Sequence, residues 1–209
     1  MSIELWLAFA LASAVMLAIP GPTVMLVISY ALGYGRRSGL ATVPGVTLGD
    51  FTAMTVSLAG AGAVLATSAT LFTALKLAGA AYLFWLGLKL WRAAPQPVGV
   101  PGGAQVPGDL RRMFWNSYAV TALNPKSIVF FVAFVPQFID PAAPLLAQVV
   151  ILEATFLALA ALNIALWAVM VGAMRARFRR NSTLRLVNRL GGGLLMAAGA
   201  LTAVVRRAA

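Results

Sequence analysis

Apolar stretches too long for the interior of a soluble domain dominate this chain. Residues 38–75 hold one charged side chain, Asp50, and residues 154–174 hold none. A helix needs about 20 apolar residues to cross a bilayer. Runs broken by charges give six such segments, at roughly 3–30, 39–66, 70–91, 113–138, 145–174 and 189–205. Hydrocarbon offers no partner to backbone N–H and C=O groups, so each segment is expected as a helix. The expected class is an all-α integral membrane protein with six transmembrane helices. The first run counts among them, because MSIELW carries Glu4 and no basic region, and IPGP is no signal-cleavage site. In the last, only Leu190 to Val205 is free of charge, so Arg189 and Arg206 have to snorkel outward.

Composition narrows function by what it lacks. Among 209 residues there is no Cys, no His and only five Asp plus Glu. That removes disulfides, thiolate nucleophiles, imidazole bases and His-ligated metals, and leaves a hydrolase little to work with. The chain is read as no enzyme, with no cofactor and no metal. Sixteen Lys plus Arg give a net charge of +11, and twelve of the sixteen fall in or beside the three odd-numbered loops. Loops 2/3 and 4/5 carry none. By the positive-inside rule the odd loops are cytoplasmic and both termini lie outside, with Arg206 and Arg207 as the dissenting pair. The basic run MRARFRR adjoins no soluble domain that would present it to nucleic acid, so the bilayer is its expected partner. Trp6, Trp91 and Trp115 fall near span ends, as an aromatic belt places them.

The segment RAAPQPVGVPGGAQVPGDLRR reads as a linker inside a single transmembrane domain, 1–209. Cutting there gives repeat one, 1–92, a cytoplasmic linker, 93–112, and repeat two, 113–209. Each repeat holds three spans, an odd number, so the second enters the membrane inverted. Pro20, Gly21 and Pro22 interrupt the first span, and Asn124 and Pro125 interrupt the fourth. Asp50 follows Pro22 by 28 residues and Glu153 follows Pro125 by 28, while Thr52 and Thr155 share the same offset of 103. Proline lacks an N–H and clashes with the preceding turn, so a mid-span break frees carbonyls that only protein or water can meet. Broken helices aim N–H groups at anions and carbonyls at cations, and so build transporter sites near the midplane.

Four charges lie within spans: Asp50, Lys76, Lys126 and Glu153. Each needs a partner or a wet cavity. Lys76 sits early in its span near the outer surface and reads as structural. Asp50 and Glu153 are related by the repeat, and Lys126 follows the second break, an arrangement that meets the physical minimum for carrying a proton. Gly45, Gly49 and Gly191 to Gly193 have the small-residue spacing of close helix packing, a surface that also permits a homodimer.

The motifs IPGP at 19–22, YGRRSGL at 34–40, GVTLGD at 45–50, LKLAGAAYLFWLGLKLWRA at 75–93 and LNPKSIVFFVAFVPQFI at 123–139 resemble the LysE superfamily of six-span exporters. The resemblance is to its homoserine/threonine (RhtB-type) amino-acid branch. It implies an inner-membrane efflux protein for amino acids or close derivatives such as threonine, homoserine or leucine, driven by the proton-motive force. The site it implies is Pro20, Gly21, Pro22, Asp50, Asn124, Pro125 and Lys126. The family often has an acid in mid-span 5, where this chain has Ala160. Glu153 lies two turns earlier on nearly the same face and is the candidate replacement, with Asn163 behind it. Two other readings stand beside this one: an exporter of another small solute or a hard cation, and a non-transporting membrane scaffold.

Overall fold

The structure, a computed structural model, describes residues 1–93, 109–140, 142–173 and 181–204. Most of the expected linker, the Arg175–Arg180 cluster and the Arg206–Arg207 pair lie outside the described residues. The described residues are almost wholly helical, without strands.

Ser2 opens α1 (Ile3–Ala18) by accepting from the Leu5 N–H at 3.3 Å. Proline then does what its chemistry requires. The helix stops before Pro20, and α2 (Pro22–Tyr34) restarts at an angle of 52° with Pro22 in its first turn, where a missing N–H costs no hydrogen bond. Gly35 ends α2 at φ 90°, a conformation open to glycine, and turns the chain into the short α3 (Arg36–Leu40). Two long helices follow, α4 (Val43–Thr67) and α5 (Ala69–Arg92). In the second half Asp109 caps α6 (Leu110–Ala122). Asn124 breaks the path and α7 (Pro125–Ala133) restarts with Pro125 in its first turn, the bend being 44° when the 3-10 turn Val135–Phe138 is included. The chain closes with α8 (Leu145–Ala173) and α9 (Asn181–Val204).

Among the described residues one helix, within α8, is long and apolar enough to cross a membrane, and three spans result if each bent pair counts as one. The last helix departs from expectation. It begins at Asn181, eight residues before the expected Arg189, because a charged side chain that reaches outward leaves the backbone ladder of its helix intact. Trp91 and Trp115 are about half exposed, while Trp6 turns inward and donates its indole N–H to Thr155 Oγ1 at 2.9 Å.

Helix α5 packs along α9, α4 against α6, and α8 against α1, α2 and α4. Glycine sets the closest approaches, as small-residue spacing predicts. A Cβ at Gly49 would lie 2.8 Å from Thr121 Cβ on α6, and one at Gly87 would lie 2.8 Å from Met196 Cγ on α9. Three apolar clusters fill the interior of the described residues, the smallest being Ile19, Leu83 and Leu195; the two larger ones lie near the breaks. One gathers Phe9, Met16, Met54, Phe130, Phe131, Leu152 and Phe156; the other gathers Val24, Val27, Ile28, Val46, Ile164 and Ala168.

Candidate functional site

Both interruptions meet at one small cavity. Gly21, Thr23 and Val24 border it from the first break, Asn124, Lys126 and Ser127 from the second, and Asp50, Ala160 and Asn163 from α4 and α8. Met16 and Ala160 join it to one apolar cluster, and Val24, Val46 and Ile164 to the other. Its volume is about 20 Å³, room for a single water.

Ending α1 early frees its last carbonyls, and side chains from the second half take them up. The Lys126 ammonium donates to Ile19 O at 2.8 Å and to Met16 O at 3.2 Å. Asn163 Nδ2 donates to Leu17 O at 3.0 Å. A cation at the C-terminal end of a half-helix also meets the negative end of its dipole. Gly21 makes this possible by size, since a Cβ there would lie 3.2 Å from Lys126 Cε and 3.3 Å from Nζ.

The two restarting helices differ in how they are capped. In α7 the Asn124 side chain accepts from the Lys126 N–H at 3.1 Å. In α2 the capping residue is Gly21, which has no side chain to offer, so the first-turn amides of Thr23 and Val24 point toward the break without a side-chain cap. Asn124 Nδ2 donates to Thr23 Oγ1 at 3.3 Å, and Thr23 Oγ1 lies 3.2 Å from Thr121 Oγ1, a chain that stitches the breaks together.

Asp50 is 3% exposed and borders the same cavity. Among the described residues no group donates a hydrogen bond to its carboxylate and none forms a direct ion pair with it; the charge whose field acts on it is Lys126. A buried carboxylate in this state is normally matched by a ligand, a proton or a water. The cavity is thus bordered by a carboxyl group with no hydrogen-bond partner among the described residues, by an uncapped helix N-terminus, and by an ammonium that has one N–H left over.

Of the residues singled out in the sequence, Gly21, Asp50, Asn124, Lys126 and the secondary candidate Asn163 line this cavity. Pro22 and Pro125 set the restarts beside it, while Pro20 does not line it and packs on α9, where a Cβ on Gly191 would lie 3.2 Å from its Cδ. Glu153 is elsewhere. It is half-buried, accepts from Thr55 Oγ1 at 2.7 Å, and lies two turns from Ala160 along α8, roughly 10 Å. Thr23, Thr121 and Ser127 were not anticipated. Their one sequence signal is a hydroxyl within four residues of a break, which is weak by itself.

A family model described as LysE type translocator matches residues 14–205. The homoserine/homoserine lactone efflux protein of Salmonella typhimurium is 33% identical over 208 residues, covering 100% of both chains. The leucine efflux protein of Enterobacter sp. is 31% identical over 178 residues, covering 85% of this chain and 82% of its own. An uncharacterized membrane protein of Vibrio cholerae is 33% identical over 207 residues, covering 99% and 100%. No solved structure matches.

Proposed function

Because the chain belongs to the LysE type translocator family, we propose that it exports amino acids or close derivatives of the homoserine or leucine kind across a bacterial cytoplasmic membrane, coupled to protons. The observation that carries this reading is that the Asp50 carboxyl, the uncapped start of α2 and the Lys126 ammonium border one cavity. Those are the two halves of a zwitterion receptor. The substrate carboxylate accepts from the Thr23 and Val24 amides and from the remaining N–H of Lys126. Its ammonium donates to Asp50, which takes a proton once the substrate has left.

Six spans follow if α1–α2 and α6–α7 are each one broken span and α4, α5, α8 and α9 are the rest. Equivalent positions support an inverted repeat. Pro22 and Pro125 both open the second half-helix, with bends of 52° and 44°. Trp6 on α1 reaches Thr155 on α8, while Tyr118 on α6 reaches Thr52 on α4, the two threonines standing 103 residues apart. The distribution of cations supports termini on the outer side. The cation alternative finds less: among the described residues no three of His, Cys, Asp or Glu come together.

A site of about 20 Å³ holds no amino acid, so loading and release require one flanking apolar cluster at a time to part. The test is efflux from cells preloaded with labelled threonine, homoserine, leucine, lysine and arginine, with and without a protonophore. One of them should leave faster with the wild-type protein, lose that advantage with the protonophore, and lose it equally in Asp50→Asn at unchanged abundance. Full export by Asp50→Asn would remove the carboxylate from the mechanism, and no export of any of the five would overturn the amino-acid reading.

A further inference from the structure

A second concavity, which shares no lining residue with the first, lies near the start of α9. Ser182, Arg185, Leu186 and Arg189 line an open groove of about 340 Å³. Ser182, Arg185 and Arg189 are exposed, and positions 182, 185 and 189 recur on one helical face. Beside them runs an apolar stripe, Leu186, Leu190 and Leu194, exposed by 58%, 61% and 42%. The two arginines therefore stand on a helix face that is otherwise greasy, and they lie within the first two and a half turns.

Among the described residues no carboxylate forms an ion pair with either arginine. Helix α9 runs antiparallel to α5, with Gly192 against Gly87 and Gly199 against Ala80 and Phe84. The start of α9 thus lies beside the end of α5, where Lys89 and Arg92 add two more cations. Neither helix contains an Asp or Glu, and the sequence has none after Glu153. An anion has to come from outside these helices. Guanidinium groups bind phosphate oxygens through paired donors, and a lipid-facing stripe running from the groove along the helix accommodates an acyl chain.

We propose that this groove is a binding site for an anionic phospholipid, with its phosphate on Arg185 and Arg189, its headgroup hydroxyls near Ser182, and an acyl chain along Leu186, Leu190 and Leu194. The proposal needs the chain to sit in a bilayer and is independent of what it exports. The occupied site pins the polar start of α9 at headgroup level, which is how a helix carrying Arg189 remains in the membrane.

Native mass spectrometry of the detergent-purified full-length protein, titrated with dioleoylphosphatidylglycerol or dioleoylphosphatidylcholine, tests it. Phosphatidylglycerol should bind preferentially. Arg185→Gln with Arg189→Gln should weaken that binding roughly 30-fold, about fivefold per cation, whereas the double Lys variant should stay within about fivefold of wild type. The single Gln variants, each expected near fivefold, keep the test usable if the double variant fails to fold. Equal binding of both lipids, or an unchanged affinity in the Gln variants, overturns the proposal. Displacement of the lipid by millimolar inorganic phosphate also overturns it, by reassigning the groove to a free anion.

Discussion

Replacing Lys126 by Met keeps most of the side chain's length and removes its charge, and the structure fixes what that should cost. The ammonium holds two carbonyls, Ile19 O at 2.8 Å and Met16 O at 3.2 Å, both freed where α1 ends. A hydrogen bond from a charged donor is worth about 1.5–3 kcal/mol, so losing two costs roughly 3–6 kcal/mol. Removing the lysine also leaves Asp50 buried without a counter-charge. Adding Asp50→Asn to the methionine variant separates the two effects. The second substitution relieves the stranded carboxylate and does nothing for the stranded carbonyls, each of which still costs about 1–3 kcal/mol. The double variant should thus recover part of the loss and remain about 2 kcal/mol or more below wild type. Unfolding of purified protein in mixed micelles, followed by tryptophan fluorescence, measures both. Lys126→Met within about 1 kcal/mol of wild type would refute the carbonyl-capping role. Full recovery in the double variant would also refute it, because Lys126 would then be a counter-ion for Asp50 and nothing more.

Asn163→Leu leaves Leu17 O without its donor, and should cost about 1–3 kcal/mol in the same unfolding assay while slowing efflux; an unchanged midpoint would show that water replaces the amide freely. Gly49→Ala puts a Cβ 2.8 Å from Thr121 Cβ and 2.8 Å from Tyr118 O, and forcing α4 from α6 should cost roughly 1–3 kcal/mol; wild-type stability would mean that this crossing is looser than described. Glu153→Gln keeps an acceptor for Thr55 and lies outside the cavity, so efflux per molecule should hold above half of wild type. A loss as complete as that of Asp50→Asn would instead place Glu153 in the coupling.

Proline chemistry made the breaks legible. A residue with no N–H and a ring that clashes with the preceding turn has to stop a helix, and both stops fall where the sequence puts them, at Ile19–Gly21 and at Asn124. Small-residue spacing likewise gave the helix contacts at Gly45, Gly49 and Gly191 to Gly193. The start of α9 was hidden, because a charge ends an apolar run without ending a helix. What Lys126 holds was hidden too. A charge count pairs it with Asp50, whereas its bonds go to carbonyls 107 and 110 residues away. Main-chain acceptors are present at every residue and leave no mark in the sequence, so only the fold reveals which of them a lysine caps. The same reasoning covers Asn163 and Leu17, which are 146 residues apart.

The wiring of the two breaks bears on how such a site moves. Among the described residues, Lys126 and Asn163 of the second half donate to carbonyls at the end of α1, and the start of α2 is tied to that half by Thr23 with Thr121 and Asn124. The halves are joined by polar contacts at the cavity and by two apolar clusters that border it. Apolar packing has no directional requirement, so a cluster separates or re-forms with the area it exposes, whereas an orphaned carbonyl in a dry interior is penalised at once. For the exporter proposed above, the expected motion is a rocking about an axis through the breaks, where the hydrogen bonds pivot and survive while the cluster of Phe9, Phe131 and Phe156 or that of Val27, Ile28 and Ile164 parts. In that proposal such an axis leaves Asp50 and Lys126 at the cavity that both clusters border, the position an alternating-access site needs.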